Sequence, residues 1–214
     1  MEKEKNLEKE KEKALDVFKS YINEMSKINV YEEIEDGSHI EQCKYFMNLL
    51  ISRPQIKIVL EIGFNTGVSA ASFLSSRDDV IVISVDIGVH KYIHDCKKLI
   101  NQQFPGRHTL LIGDSKKIIP ELIKLGQIFP DLIFIDGDHS DPTPLIDARN
   151  CLAMASKETI LVMDDTNLIN GWAGVLQAMC ELIKNKEIDT SRVGCEQFGR
   201  SAWTLFFKAP TNQV

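Results

Sequence analysis

Val59-Leu60-Glu61-Ile62-Gly63-Phe64-Asn65-Thr66-Gly67-Val68-Ser69-Ala70-Ala71 runs from an apolar strand through a glycine-bearing turn into a helix of small residues. The strand, Ile56 to Ile62, is short, β-branched and apolar on both faces, which suits a central strand of a parallel sheet covered on each side by helices. Gly63 and Gly67 bracket a tight turn whose missing side chains let a ligand lie against bare backbone. A helix beginning near Val68 aims free N–H groups and its positive dipole end into that space, so a nucleotide-like ligand is expected. A dinucleotide fingerprint needs Gly-x-Gly-x-x-Gly. Here the glycines are four apart, Asn65 stands between them and no third glycine follows, which speaks against an NAD-dependent dehydrogenase. A carboxylate at Glu61 repels a pyrophosphate but attracts an ammonium or sulfonium. A strand-turn-helix corner with glycines for geometry alone is the plainer alternative.

Around this stretch the composition sets bounds. The 214 residues carry a net charge of −6, which argues against a nucleic-acid partner, since phosphate contacts need a clustered excess of Lys and Arg. No apolar run approaches a membrane span, and Met1-Glu2-Lys3-Glu4-Lys5 opens no signal-peptide segment, so a soluble cytoplasmic protein with a small-molecule substrate is expected. Five scattered cysteines without a Cys-x-x-Cys pair read as reduced, buried packing residues.

Residues 1–13 alternate Glu and Lys, compatible with a solvated helix or a frayed tail. From Leu15 the stripe Leu15, Phe18, Tyr21-Ile22, Met25, Ile28 predicts a packing helix. Ser38 with Glu41 resembles a capping box opening another helix through Leu50, ended by Pro54. Beyond it strands 56–62, 80–85, 108–112, 131–135 and 159–163 alternate with helices 68–76, 90–104, 115–125, 143–154 and 171–185. That order predicts an α/β fold with a doubly wound, mostly parallel seven-stranded sheet. Its last two strands form an antiparallel hairpin turning at Gly199-Arg200. The helices of residues 1–54 are taken as an appendage and 55–214 as the ligand-binding domain.

In such sheets ligands bind beyond the carboxyl ends of the strands, and acids recur there. Asp86, with Ile87 after it, follows the glycine turn by about twenty residues, a ribose-binding distance. Asp114-Ser115 ends the third strand at a helix start, as an adenine contact or an N-cap. Asp136-Gly137-Asp138-His139 and Asp164-Asp165-Thr166-Asn167 follow the fourth and fifth strands. If these strands are neighbours, Asp136, Asp164 and Asp165 converge, and three carboxylates that close need a cation. Hard oxygen donors favour Mg²⁺ before other divalent ions. Two loops whose acids cap helices would look the same. His139 is the residue placed to take a proton from a substrate hydroxyl, whereas His39, His90, His94 and His108 have no such setting.

From about Ser38 onward the chain resembles the class I S-adenosylmethionine-dependent methyltransferases, in the layout of the catechol and caffeoyl-CoA O-methyltransferase type. The resemblance lies in the Val59–Ala70 motif, in Asp86, and in Gly113-Asp114-Ser115-Lys116-Lys117-Ile118-Ile119-Pro120. It implies that Glu61, Gly63, Asn65, Gly67, Ser69, Asp86, Ile87, Asp114, Ser115 and Asp136 line S-adenosylmethionine. It also implies that Asp136, Asp164 and Asp165 hold a metal ion. The catechol type carries Asn after the second aspartate and a Lys base. The Asp-x-x-His and Asp-Asp pattern here is similar instead to the metal-dependent sugar O-methyltransferases of macrolide biosynthesis, where the histidine is the base. A hydroxylase-like group and non-catalytic cofactor-binding scaffolds share these acids. The resemblance thus implies methyl transfer to a hydroxyl of a small molecule, with a homodimer through the terminal hairpin as a fold-level expectation.

Overall fold

A computed structural model describes residues 2–28, 39–168, 172–198 and 201–210. The element order is α1 (Glu2–Met25), α2 (Ile40–Ser52), β1 (Ile58–Ile62), α3 (Val68–Ser76), β2 (Ile81–Asp86), α4 (Ile93–Gln103), β3 (His108–Ile112), α5 (Ser115–Leu125), β4 (Leu132–Ile135), α6 (Thr143–Met154), β5 (Ile160–Met163), α7 (Ala173–Lys184), β6 (Gly194–Phe198) and β7 (Ser201–Phe207). The sheet runs β3-β2-β1-β4-β5-β7-β6. Strands β1 to β5 are parallel, and β7 lies antiparallel between β5 and β6. The seven-stranded, mostly parallel sheet and its antiparallel end are as the alternation of segments predicts. The Gly199-Arg200 turn and Ser38 lie outside the described residues.

Strand alternation sorts the core into two layers. Val59, Leu132, Phe134, Ile160 and Val162 point to the face covered by α1, α2, α3 and α4, where they meet Phe18, Tyr21, Phe46 and Phe73. Leu60, Ile62, Ile133, Ile135, Leu161 and Met163 point to the other face, under α5, α6 and α7. Both faces of β1, β4 and β5 are therefore buried, which is why these strands read as unbroken apolar runs.

At the N-terminus the structure takes the solvated-helix alternative over the frayed tail. The helix begins at Glu2 rather than near Leu15, so the Glu/Lys segment is helical. Ala14, Phe18 and Tyr21 are buried in the same core as β1. Helix α2 is capped by His39, whose Nδ1 accepts from Glu41 N–H at 3.2 Å. With β1 central, the two ligand-facing loops after β1 and β4 are neighbours, and α2 lies against α3 beside them.

Candidate functional site

The turn after β1 is built from backbone that only certain residues tolerate. Gly63 has φ +95°, and a Cβ there would lie 2.0 Å from the Asp136 carbonyl oxygen. Asn65 has φ 47° and Gly67 φ 77°, and no side chain caps the α3 N-terminus that Gly67 opens. Two tyrosines that sequence reasoning passed over hold this turn. Tyr21 of α1 donates its hydroxyl to Thr66 O at 2.6 Å, and Tyr92 donates to Asn65 Oδ1 at 2.6 Å. Both come from distant segments, so only the amphipathic stripe of α1 hinted at the first.

Asp86 stands at the end of β2 beside this turn. Its Oδ2 accepts from Phe64 N–H at 2.8 Å and Asn65 N–H at 2.9 Å, and its Oδ1 from Gly88 N–H at 2.8 Å. The carboxylate therefore pins the turn as well as facing the cleft edge where Ile87 is exposed. Asp114 caps α5 by accepting from Lys116 N–H at 3.0 Å, and Ser115 donates to the buried Asp147 at 2.7 Å. Burial pushes Asp147 up to about 6.

Glu61 differs most from its expected role. It shares the face of Val59, beneath the turn, and is fully buried. Ser69 and Ser84 both donate to its carboxyl group, and Ser84 Oγ lies 2.9 Å from His108 Nε2. Burial pushes Glu61 up to about 8 and His108 down to about 3. With no cation beside it, Glu61 is then largely uncharged near neutral pH, and a cationic ligand placed there would draw it back toward the charged form. Ser69 is likewise spent on Glu61, and His108, assigned no role from sequence, belongs to this buried relay.

The shift carries a stability consequence. The folded protein keeps a proton on Glu61 that the unfolded chain releases near the ordinary value of 4.5. Its stabilising share is complete below that value and is lost as pH rises through about 8. Glu61→Gln, which keeps a neutral side chain able to accept from one serine and donate to the other, should gain in melting temperature relative to wild type as pH goes from 5 to 9. The gain is expected to reach the order of a few kcal/mol. Parallel melting curves for the two proteins across that range would show that Glu61 is not held neutral.

At the ends of β4 and β5 three side chains converge. Asp136, His139 and Asp165 offer ligand atoms all within 4.8 Å of one another. His139 Nε2 is 3.2 Å from Asp165 Oδ2 and 3.6 Å from Asp136 Oδ1, yet this buried nitrogen has no aligned hydrogen-bond partner. Burial lowers the basicity of His139, but the carboxylates of Asp136, Asp165 and Asp138 outweigh it and leave the imidazole above its ordinary value. Burial, and then the Asp165 charge, raise Asp136 against the lowering pull of His139. Trp172 stacks on His139 at 5.0 Å, and Gly174 at the start of α7 packs so closely on residues 139–141 that a Cβ would meet His139 O at 2.2 Å.

Asp164, expected to converge with this group, is not one of the three within 4.8 Å of one another, but it stays in their field: burial, then the Asp136 charge, and also that of Asp165, hold its carboxyl well above the ordinary value. It faces α2, where Gln42 Nε2 donates to its Oδ2 at 2.8 Å, while its Oδ1 accepts from Asp165 N–H at 2.8 Å. Asp165 adopts φ 54°, which turns its own side chain to the His139 side. The tightest group is therefore two carboxylates and an imidazole, with Asp164 beside them.

A concavity of about 470 Å³ lies at the opposite rim of the sheet between Leu122, Ile128, Phe129, Met154 and Thr159. Its Asp131 is spent on the N–H groups of Lys57 and Ile58, so the chemistry stays with the carboxyl ends.

The fold is shared with known proteins. An O-methyltransferase from Bacillus cereus in complex with SAH superposes with a TM-score of 0.72 at 14% identity, over 90% of this chain and 91% of that one. A putative O-methyltransferase from Klebsiella pneumoniae gives 0.70 at 20% identity, over 91% and 90%. The O-methyltransferase TomG from Streptomyces achromogenes, involved in tomaymycin synthesis and in complex with SAM, gives 0.68 at 17% identity, over 92% and 90%. No curated protein matches in sequence. The family described as "Methyltransferase domain" matches residues 60–166, from the middle of β1 to the loop after β5. That span is half of the chain and includes the glycine turn, Asp86 and all three converging side chains, and by it the protein belongs to the methyltransferase-domain family.

Proposed function

We propose that this protein transfers a methyl group from S-adenosylmethionine to a hydroxyl of a small molecule, aided by a divalent ion at Asp136 and Asp165, with His139 taking the proton. The observation that carries this reading is the shared wall between the glycine turn and the converging side chains: Gly63 lies directly against the backbone of Asp136. A donor on the turn and an acceptor at the carboxylates would meet across a single gap.

The sulfonium methyl is already activated, so the protein's task is to align acceptor oxygen, methyl carbon and sulfur. The Gly63–Gly67 turn and the uncapped start of α3 give the donor bare backbone to lie on, and Asp86 fixes that turn from below. Two adjoining carboxylates fit a cation, and the imidazole nitrogen beside them is left open to receive a proton. When bound there, a divalent ion would make an acceptor hydroxyl easier to ionise. Asp136 and Asp165 would hold it, oxygen donors of the kind Mg²⁺ and Mn²⁺ take. His139 Nε2 faces both carboxylates, which stabilise the imidazolium once it has accepted a proton. Trp172 covers the outer face of the ring and keeps it in place.

Among the described residues no helix is long and apolar enough to cross a membrane. Leu168 and Trp172, which follow the Asp164-Asp165 turn in the chain, are exposed, in keeping with a small organic acceptor. β6 leaves the outer edge of the sheet exposed, and a second copy of the chain would pair there.

Titration calorimetry with S-adenosylmethionine, its demethylated product and NAD, each with Mg²⁺ or chelator, tests the donor. Micromolar binding of the first two and none of NAD is the expected result. Binding of NAD in place of the sulfonium cofactor would refute methyl transfer.

A further inference from the structure

Tyr21 stands in the apolar stripe of α1 and is fully buried. A phenylalanine would fill the same space, and a buried hydroxyl costs stability unless it finds a partner. The partner is the carbonyl oxygen of Thr66, which accepts from Tyr21 at 2.6 Å across 45 positions of sequence. Burial holds the phenol well above its ordinary value, so it remains a donor at any working pH. Room for the contact comes from Gly67, where a Cβ would meet the Tyr21 oxygen at 2.9 Å and the Phe64 ring at 2.7 Å. The glycine thus serves this close approach as well as the positive φ that opens α3.

The bond gains its importance from its place in the turn. The peptide joining Thr66 to Gly67 is tied at both ends, its carbonyl to Tyr21 and its N–H to Phe64 O at 2.7 Å. The second of these bonds closes the turn in which Asn65 takes φ 47°. Thr66 is 3% exposed, so a carbonyl deprived of Tyr21 reaches water only by rotating outward. That rotation carries Gly67 N–H away from Phe64 O and opens the turn, and the freedom of glycine in φ does little to resist it. Helix α1 is anchored independently. Gln103 at the end of α4 donates its amide to Val17 O at 2.7 Å, and Ala14 and Phe18 share the core of β1.

We propose that Tyr21 is a positioning residue for the methyl donor: its hydroxyl keeps the Gly63–Gly67 turn closed in the shape on which the donor lies. Helix α1, which precedes the family-matched span of residues 60–166, thereby completes the donor site. This role rests on the donor reading given above.

Tyr21→Phe keeps the ring and removes only the hydroxyl. In the ligand-free variant the Gly67 amide, followed by NMR, should exchange with solvent about tenfold faster or more than in wild type. Affinity for S-adenosylmethionine and for its demethylated product should fall by about fivefold or more, because a turn that is closed for part of the time binds in that proportion. Phe18→Leu is the control, since it loosens α1 in the same core with no hydroxyl to lose. It should lower the melting temperature and leave both affinities within about twofold of wild type. If Tyr21→Phe leaves either the Gly67 exchange or the two affinities at wild-type values, the assignment is overturned. It is overturned equally if Phe18→Leu weakens donor binding as far as Tyr21→Phe does, because α1 then acts by packing alone. A wild-type protein that binds neither S-adenosylmethionine nor its product would overturn the donor reading and this role with it, a failure visible before any variant is compared.

Discussion

Gly63→Ala is expected to destabilise the protein by roughly 3 kcal/mol or more and to remove S-adenosylmethionine binding along with that stability. Two independent costs add at this position. The backbone has φ +95°, a region closed to L side chains at about 1–2 kcal/mol. The new methyl would also lie 2.0 Å from the carbonyl oxygen and 2.7 Å from the carbonyl carbon of Asp136. Those are backbone atoms at the end of β4, hydrogen-bonded to β1 through Asp136 N–H and Ile62 O at 2.9 Å, and they cannot swing aside as a side chain would. Relief requires β1 and β4 to part at their carboxyl ends, which is the wall shared by donor and acceptor. Gly106→Ala isolates the first cost, since Gly106 has φ +73° and nothing within 4 Å of its Cβ position. Urea unfolding of the two variants should differ by about 2 kcal/mol; equal losses would mean that the end of β4 yields and that the close approach is not a constraint.

Gly63 also marks what could be read from sequence and what could not. Helices 68–76, 115–125 and 143–154 fall where their residues predict, because Gly67, Asp114 and Pro144 punctuate the chain locally. The parallel order follows from β-α-β alternation, since a parallel strand needs a crossover. Glu61 went astray for a physical reason. Its position in the motif is a local fact, but its charge depends on Ser69 and Ser84, which reach it only after α3 and β2 have folded over β1. Asp164 and Asp165 are told apart in the same way. Adjacent acids at a strand end are legible, but which one faces His139 depends on the αL turn at Asp165 and on Gln42, 122 residues from Asp164. His139 was legible as an acid's neighbour at i+3. Its contact with Asp165 required the register that pairs Ile135 with Met163. The extension of α1 to Glu2 had no apolar stripe to announce it, because i,i+3 and i,i+4 charge pairs sustain a solvated helix without one.

Asp136→Ala is expected to lower kcat by about a thousandfold or more while changing the affinity for S-adenosylmethionine by less than about tenfold. The asymmetry comes from position. Asp136 touches the donor's turn only through its backbone, which alanine retains, whereas its side chain points to His139 and Asp165. Losing that carboxylate removes one of the three charges that hold His139 above its ordinary basicity, and one of the carboxylates of the proposed ion site. His139→Gln separates these contributions. As the proton acceptor, His139 should cost about 10²- to 10⁴-fold in turnover when replaced, with Mn²⁺ affinity nearly unchanged. Asp136→Ala should reduce turnover and Mn²⁺ affinity together. If His139→Gln instead lowers Mn²⁺ affinity as far as Asp136→Ala does, the imidazole is a ligand, because one nitrogen cannot bind the ion and receive a proton in the same step; the base must then be sought elsewhere. If Asp136→Ala leaves kcat unaltered, the convergence at the ends of β4 and β5 takes no part in the reaction.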